Sequence, residues 1–366
     1  MLAAMSPAMD APPIGADVVA LTRWLCAIPS PIGEEQAICE QLLARVARWE
    51  ATAGAPVRVA NSIAIPLRRG GGPRLALVGH TDTVRTEHDG PVRIEGDRLY
   101  GAGAADMKSG LALMIAAAED ATLLRGADVT LVFYAREEGP YAENELGPLL
   151  AAHPELAAQD LAICLEPSYS KLQLGCMGSL HARLTVRGKT AHSARPWQGK
   201  NAIHDAWPVL KDLAERAPTD ATIDGLPYRS VFSATMANGG RGRNVIPDAF
   251  ELNVNHRFLP GVSLEQAEAD LRALVAGRAD VEIIDRSPSA PPHRAHPLVE
   301  KLVAAGVTTI ESKQAWTDVA RFAQLGVAAV NWGPGDQNEA HQRNESTSVR
   351  GLHEGWAILR RFLSAL

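Results

Sequence analysis

Two kinds of hydrophobic pattern alternate along this sequence, and the alternation restricts the fold more than any other feature. Short apolar runs predict buried strands at residues 74–78, 128–134 and 161–165. Between the first two runs, the apolar stretch 110–121 predicts a buried helix. Strands that alternate with helices are typical of a sheet covered by helices on both faces, so this part of the chain predicts an α/β domain.

The pattern changes near residue 178, where polar and apolar residues begin to alternate as they do in a half-exposed strand. From there the predicted order is strand, helix, strand, strand, helix and strand, at residues 180–186, 201–217, 230–236, 250–258, 263–276 and 281–284. This is the order of a ferredoxin-like α+β unit. A proline-rich stretch, 287–297, then indicates a return to the first domain. We therefore expect a discontinuous α/β domain, residues 1–176 and 291–366, with a smaller domain, 177–290, inserted into it.

Charge and composition exclude several classes of protein. Hydrophobic residues make up 46% and charged residues 21% of the 366 residues, as in globular proteins. The net charge of −6 argues against general nucleic-acid binding, which needs a basic face. No apolar run reaches the roughly 20 residues that span a bilayer, and residues 1–17 lack the pattern of a secretory signal. We therefore expect a cytoplasmic protein with neither nucleic-acid nor membrane partners.

The cysteines do not suggest a metal or disulfide framework. The chain has four of them, and none forms a C-x-x-C pair, which argues against a thiolate zinc site. Four cysteines in a chain of this length also differ from the dense spacing of small secreted domains. We therefore expect them to be reduced and mostly buried.

A histidine and an aspartate follow the first predicted strand at once, in the sequence Gly-His-Thr-Asp. In open α/β sheets, ligands bind beyond the carboxyl ends of the strands, so His80 is a candidate metal ligand. Asp82 could then hold the other imidazole nitrogen and fix its tautomer. The alternative is an ordinary polar loop, and these two residues alone do not decide between the two readings.

Asp106 stands in a glycine-bounded loop directly before the predicted helix 110–121. Aspartate is a favoured helix N-cap, which gives one explanation of its position. A carboxylate that bridges two metal ions gives the other.

Carboxylates also follow the second and third predicted strands. Glu137 and Glu138 are adjacent, a pattern that often marks a solvated turn. Two adjacent carboxylates could instead divide two roles, one binding a metal and the other accepting a proton from an activated water. Glu166 ends the third strand, and His341 lies in a loop near the last predicted helix.

The joint placement of these residues is more informative than any one of them. The candidates from His80 to Glu166 all lie at or just after predicted strand ends. Nitrogen and carboxylate ligands suit zinc, with cobalt or manganese as substitutes. Two neighbouring metal ions need a bridging carboxylate and room for one water. The sequence therefore predicts a two-metal site.

With these motifs the chain resembles the di-zinc amidohydrolases and metallopeptidases that include desuccinylases, deacetylases, aminoacylases and glutamate carboxypeptidases. The resemblance runs from Pro29 to His341 and so covers nearly the whole chain. Within this family the chain is most similar to the desuccinylases of the actinobacterial type. The stretches that carry this closer likeness lie outside the metal ligands, at residues 106–110, 175–178, 191–197, 201–204, 223–225, 244–248, 316–322 and 331–336.

The resemblance implies a role for each metal ligand. His80 and Glu166 would bind one zinc ion, and Glu138 and His341 would bind the other. Asp106 would bridge the two ions. Cobalt or manganese could replace zinc.

The resemblance also implies the residues that act on the substrate. Glu137 would be the catalytic base, and Asp82 would support the first histidine ligand. The inserted domain would be a lid and the interface of a homodimer. From that domain, His192 would reach the site of the partner subunit and donate a hydrogen bond to the developing oxyanion.

Three polar residues of the inserted domain are candidates for binding substrate. Asn244 and Arg257 match lid residues of the family that contact substrate carboxylates or the scissile carbonyl. Arg195 could bind substrate or could pair with a carboxylate of the lid.

Three positions depart from the family pattern. Ala102 stands where many members carry arginine, and Gly139 and Pro140 follow the glutamate pair where other residues are common. Met177 stands before Gly-Ser where some desuccinylases carry arginine. These departures bear on how a succinyl group would be bound and leave the metal site unaffected.

From this resemblance we expect hydrolysis of N-succinyl-LL-2,6-diaminopimelate to succinate and LL-2,6-diaminopimelate. The first alternative is an acetylornithine deacetylase or another N-acyl-amino-acid amidohydrolase or carboxypeptidase of the same family. The alternative from another class is a zinc-bound binding protein that has lost catalysis.

Overall fold

A computed structural model describes residues 10–50, 52–69, 71–120 and 122–366 of the chain. These residues form two compact units. The first unit contains the described residues up to Leu174, together with His293–Glu311 and Arg321–Leu366, and the second contains Gly175–Pro292 and Ser312–Ala320. The last residue of the predicted helix 110–121, and most of the stretch predicted to lack a secretory signal, lie outside the described residues.

The helices and strands of the described residues follow in chain order. The α-helices are α1 (Val18–Cys26), α2 (Gln36–Val46), α3 (Lys108–Glu119), α4 (Leu146–Ala152), α5 (Ala202–Asp205), α6 (Trp207–Glu215), α7 (Leu264–Val275), α8 (Pro297–Ala304), α9 (Val319–Gln324) and α10 (Val349–Ser364). The strands are β1 (Val57–Val59), β2 (Ser62–Arg69), β3 (Arg74–His80), β4 (Arg93–Glu95), β5 (Arg98–Tyr100), β6 (Asp128–Tyr134), β7 (Leu161–Cys164), β8 (Leu172–Leu174), β9 (Gly178–Arg187), β10 (Thr219–Ile223), β11 (Leu226–Gly239), β12 (Ala249–Phe258), β13 (Asp280–Ser287), β14 (Ile310–Ser312), β15 (Ala329–Asn331) and β16 (Ser346–Ser348). None of these helices is long and apolar enough to span a bilayer.

The first unit is built on an eight-stranded sheet with the order β1-β2-β6-β3-β7-β15-β8-β14. Its central strands β6, β3, β7 and β15 run parallel. Residues at their carboxyl ends are aligned, since His80 pairs with Tyr134 and Val78 pairs with Cys164. Polar residues that follow these strands are therefore brought to one edge of the sheet. The three strands predicted from the apolar runs are β3, β6 and β7.

Two glycines let α3 lie unusually close to this sheet. A Cβ atom added to Gly110 would lie 2.3 Å from the carbonyl oxygen of Leu165, and one added to Gly79 would lie 2.6 Å from the side chain of Leu111. A larger residue at either position would push helix and strand apart, because protein interiors are close-packed. The close approach places the loop before α3, which carries Asp106, beside the ends of β3 and β7.

The second unit contains a five-stranded antiparallel sheet with the order β10-β11-β12-β9-β13. Helices α6 and α7 supply apolar residues to a core shared with β9 and β12. Without β10, the order of elements is the predicted β-α-β-β-α-β, and the sheet order is that of a ferredoxin-like unit. Strand β10 is absent from the prediction because its residues are polar and largely exposed.

Two predicted boundaries differ from the structure. The predicted helix 201–217 is two helices, α5 and α6, and Pro208 stands in the first turn of the second, where its missing N–H is tolerated. Residues 312–320 were expected in the first domain but belong to the second unit. Within that unit, the indole of Trp316 donates a hydrogen bond to the carbonyl of Pro288 at 2.9 Å. Such contacts between distant segments leave no pattern in the sequence.

Candidate metal centre

His80 is the last residue of β3, and its side chain is 1% exposed. Its Nδ1 donates to the carbonyl oxygen of Asp82 at 3.1 Å, which assigns the proton to that nitrogen because a carbonyl can only accept. Its Nε2 lies 3.0 Å from Oδ1 of Asp106. Burial acts to lower the pKa of His80, but the contacts with Asp106 and Asp82 outweigh it and raise the pKa well above the ordinary value. In the neutral ring Nδ1 carries the proton, so Nε2, which faces Asp106, is the nitrogen that could bind a metal ion.

Asp82 joins the first strand end to the second. Its side chain is fully buried, and its two carboxylate oxygens accept the backbone N–H groups of Glu137 at 3.1 Å and Glu138 at 3.0 Å. Burial acts to raise the pKa of Asp82, but the contact with His80 and these N–H groups lower it below the ordinary value. One charged group therefore orients both the histidine after β3 and the glutamate pair after β6.

Asp106 lies in the loop before α3, and its peptide bond to Met107 is cis. The N-cap of α3 is Met107, with no side-chain cap, so Asp106 does not fill the capping role that its sequence position also allowed. Its Oδ1 faces His80 and its Oδ2 lies 3.5 Å from Nε2 of His341. Burial opposes ionisation, but the two imidazoles lower the pKa of Asp106.

His341 approaches this carboxylate from a loop near the carboxyl terminus of the chain. Its Nε2 lies 2.9 Å from Oε1 of Glu138, and its side chain is 51% exposed. The contacts with Asp106 and Glu138 raise the pKa of His341 to about 10. The Glu138 side chain is buried, and burial raises its pKa. The two imidazoles and the surrounding carboxylates thus compensate one another's charge.

Two groups of potential metal donors share one residue. His80, Asp106 and Glu166 have donor atoms within 4.8 Å of one another, and so do Asp106, Glu138 and His341. A third group, His80, Glu137 and Glu138, satisfies the same distance. Each of the first two groups offers imidazole nitrogen and carboxylate oxygen, which suit zinc and related divalent ions. The residues therefore fit two neighbouring cations with Asp106 between them.

Glu345 belongs to the surroundings of the site but was not among the predicted residues. It is 5% exposed, and its carboxylate accepts three backbone N–H groups, from Gly103, Ala105 and Asp106, each at 2.9 Å. Burial raises its pKa, against the effect of these N–H groups. In the sequence it follows an asparagine in a polar loop, so no pattern distinguishes it from an exposed glutamate.

The other predicted residues lie in the second unit. The Ser193 N–H donates to the Asn244 carbonyl at 2.9 Å, and the Arg195 N–H donates to the His192 carbonyl at 2.8 Å, so these segments are adjacent. The Ala194 N–H donates to Nδ1 of His192 at 3.1 Å, so Nδ1 is an acceptor and Nε2 is the ring nitrogen that can donate a hydrogen bond.

Arg257 lies apart from these residues, on β12. Its Nε donates to Oδ1 of Asn255 at 2.9 Å, and burial lowers its pKa. With Tyr228, Arg229 and other residues of the second unit it lines a cleft of about 620 Å³.

The family to which the chain belongs is shown by its similarity to known proteins. A family model described as peptidase family M20/M25/M40 matches residues 76–365, the greater part of the chain. The chain belongs to peptidase family M20/M25/M40. As an M20 peptidase it is a hydrolase of amide bonds, so the predicted family resemblance and enzyme class are confirmed.

Relatives of this M20 protein extend over its length. It is 36% identical over 356 residues to the succinyl-diaminopimelate desuccinylase of Corynebacterium glutamicum, covering 95% of this chain and 96% of the relative. It is also 39% identical over 349 residues to a Mycobacterium tuberculosis protein to which the name succinyl-diaminopimelate desuccinylase is assigned provisionally. This match covers 95% of this chain and 98% of the relative.

Solved structures of M20 proteins share its fold. A metallo-carboxypeptidase of the family from Sulfolobus solfataricus has a TM-score of 0.77 at 16% identity, covering 95% of this chain and 99% of that one. A Bacillus subtilis protein described as a dinuclear metal-binding peptidase has a TM-score of 0.67 at 15% identity, covering 95% and 97%. The predicted fold class is thereby confirmed. A metal cofactor follows from the family together with the donor groups.

The shared position of Asp106 gives a prediction about how many cations each variant holds. We expect the wild-type chain to retain two divalent cations after desalting. His341→Ala should retain one, because the group of His80, Asp106 and Glu166 is intact, whereas Asp106→Ala should retain neither tightly. Elemental analysis by mass spectrometry measures the ratio. A His341→Ala protein that loses both cations, or an Asp106→Ala protein that keeps one, would contradict the sharing.

Proposed function

We propose that this M20 hydrolase uses two zinc ions to convert N-succinyl-LL-2,6-diaminopimelate and water into succinate and LL-2,6-diaminopimelate. The observation that carries the proposal is the pair of donor groups that share Asp106, in a chain 36% identical over nearly its whole length to a named desuccinylase. We expect the reaction to take place in the cytoplasm.

In this proposal His80 and Glu166 would hold one zinc ion, Glu138 and His341 would hold the other, and Asp106 would be shared between them. The donor atoms of each group lie within 4.8 Å of one another, which supports the assignment. When bound, the two ions would lower the pKa of a water between them and polarise the scissile carbonyl. Cobalt or manganese would bind the same nitrogen and oxygen donors.

Glu137 is proposed as the base that moves the proton. One of its carboxylate oxygens lies within 4.8 Å of the donor atoms of His80 and Glu138, so a water bound beside these residues would be close to Glu137. Asp82 holds the Glu137 backbone N–H and so fixes the position of the base. The water's oxygen bonds to the amide carbon while its proton passes to Glu137. Glu137 then gives that proton to the nitrogen as the C–N bond breaks, and the new carboxyl group loses its proton to the amine, so the products are a carboxylate and an ammonium group.

Replacement of Glu137 separates catalysis from metal binding. We expect Glu137→Ala to lower kcat by roughly 10²–10⁴-fold or more, the scale of general-base catalysis. Its content of two zinc ions should be unchanged, because neither of the two groups that share Asp106 contains Glu137. Steady-state kinetics with elemental analysis of the same sample measures both. Near-normal turnover with two zinc ions bound would refute the role of Glu137.

A homodimer formed through the second unit is proposed as the active form. Among the described residues, β10 pairs with Leu226–Ser230 of β11, so no strand of this sheet covers the outer side of residues 231–239. Large apolar side chains are exposed on this unit, with Met236 at 72%, Trp207 at 64% and Ile203 at 41%. An open edge beside exposed apolar groups favours association with another chain. His192, with its proton on Nε2, would donate to the oxyanion in the partner's site.

Mixing two inactive variants tests the proposed dimer. Glu137→Ala and His192→Ala homodimers should each have little activity. When the mixture is dissociated and allowed to reassociate at random, half of the dimers should carry one intact site, which returns about a quarter of the wild-type activity. Activity that stays at the level of the separate variants would show that His192 does not act across a dimer.

The substrate's carboxylates are proposed to meet cationic and amide groups of the second unit. Arg257 lines the cleft of that unit and Asn244 lies beside His192, while Arg195 is exposed nearby. Met177 is buried and apolar, so the arginine that some desuccinylases carry there has no equivalent at that position. An apolar acyl pocket would favour acetylornithine or a longer N-acyl group, whereas a cationic pocket favours succinyl.

A side-by-side assay of the zinc-loaded enzyme decides among the substrates. We expect kcat/KM for N-succinyl-LL-2,6-diaminopimelate to exceed that for N-acetylornithine by at least about 10²-fold, because a buried cation left unpaired by the wrong acyl group costs binding energy. A preference for acetylornithine would establish the deacetylase alternative. Hydrolysis of no N-acyl amino acid would favour a non-catalytic binding protein, although Glu137 and His192 are both present.

A further inference from the structure

Glu345 lies on the same segment as His341 and directly before β16. Its side chain is buried, although the residue is four positions from the half-exposed His341. The backbone of Glu345 is also hydrogen-bonded. Its carbonyl oxygen accepts a hydrogen bond from the Gly101 N–H at 3.1 Å and another from Nε2 of His88 at 2.9 Å. These hydrogen bonds fix the backbone position of Glu345, whose carboxylate contacts the loop before α3.

The carboxylate of Glu345 fills a concave set of backbone donors. Its Oε2 accepts the Gly103 N–H, and its Oε1 accepts the N–H groups of Ala105 and Asp106. Successive N–H groups that converge in this way form a binding site for an anion. Only a carboxylate offers acceptors at both ends, because the NH₂ group of a glutamine is itself a donor.

The three N–H groups belong to the loop that ends at Asp106. Oδ1 and Oδ2 of this residue face His80 and His341, so a small rotation of its backbone would move its carboxylate away from both. Lys108, 1% exposed, also contacts this loop, because its backbone N–H donates to the Gly103 carbonyl at 2.8 Å, while its Nζ donates to the Ile28 carbonyl at 2.8 Å. Its charge also lies near Glu345. A buried carboxylate and a buried lysine thus both belong to the immediate surroundings of this loop.

We propose that Glu345 is a positioning residue that sets the orientation of Asp106 for both cations at once. This inference rests on the proposed two-metal site. The segment that carries His341 and Glu345 then has two roles. His341 offers a metal-donor atom, and Glu345 orients the loop that carries the shared donor, Asp106. Because Asp106 belongs to both donor groups, loss of Glu345 should weaken both cations, unlike loss of His341, which should remove one.

The test compares Glu345→Gln with a matched variant of the same segment. Glu339→Gln is the control, because Glu339 pairs with Arg98 at 2.9 Å and with Ser346, and bonds to no residue of the loop 101–106. Metal-free wild type and variants are titrated with zinc in competition with a chromophoric chelator. The absorption spectrum of the cobalt-loaded proteins reports the ligand geometry, and circular dichroism reports folding.

We expect wild type and Glu339→Gln to bind two zinc ions with equal affinity. Glu345→Gln should bind both ions roughly 10- to 100-fold more weakly, the usual effect of removing a group that orients a metal ligand. Its cobalt spectrum should change, which a general loss of stability in a folded protein would not produce. If wild type itself fails to bind two ions, the proposed metal site is wrong, independently of Glu345.

Glu345→Asp keeps the test decisive if Glu345→Gln does not fold. The shorter side chain retains the charge but cannot span all three N–H groups, so we expect an affinity loss between those of wild type and Glu345→Gln. Two zinc ions bound with wild-type affinity and an unchanged cobalt spectrum, in either folded variant, would overturn the positioning role.

Discussion

Negative charge is concentrated at one edge of the sheet, and the contacts around the site stabilise it. Five carboxylates converge there, those of Asp82, Asp106, Glu137, Glu138 and Glu166. Like charges in a partly buried place repel, and burial alone would protonate them. The fold opposes this with hydrogen bonds from backbone N–H groups to Asp82 and with two imidazoles beside Asp106. Divalent cations are the natural complement of such a group.

Much of the site could be predicted because parallel strands bring sequence-distant residues together by a simple rule. His80, the glutamate pair and Glu166 each follow a strand whose apolar pattern is clear, and the strands are neighbours in the sheet. Asp106 was ambiguous in sequence, since a helix cap and a bridging carboxylate occupy the same position. The structure removes the first explanation, because α3 begins with Met107 as its N-cap.

What escaped prediction depends on contacts that no local pattern records. Glu345 accepts hydrogen bonds from three backbone N–H groups about 240 residues earlier in the chain. The residues next to it in sequence do not predict that its side chain is buried. Strand β10 is polar, and it forms through antiparallel backbone pairing with β11. The segment 312–320 joins the second unit through contacts such as that of Trp316, although it follows residues of the first.

The order of strands in the sheet has a consequence for the growing chain. Strands β7 and β8 follow one another in sequence, yet β15 lies between them, and it follows the whole second unit. A ribosome-bound chain that ends before β15 already contains His80, Asp106 and Glu166 but lacks His341 and Glu345. Such a chain lacks one residue of the group formed by Asp106, Glu138 and His341. That group therefore has all its donors only after the residues of the second unit have been synthesised.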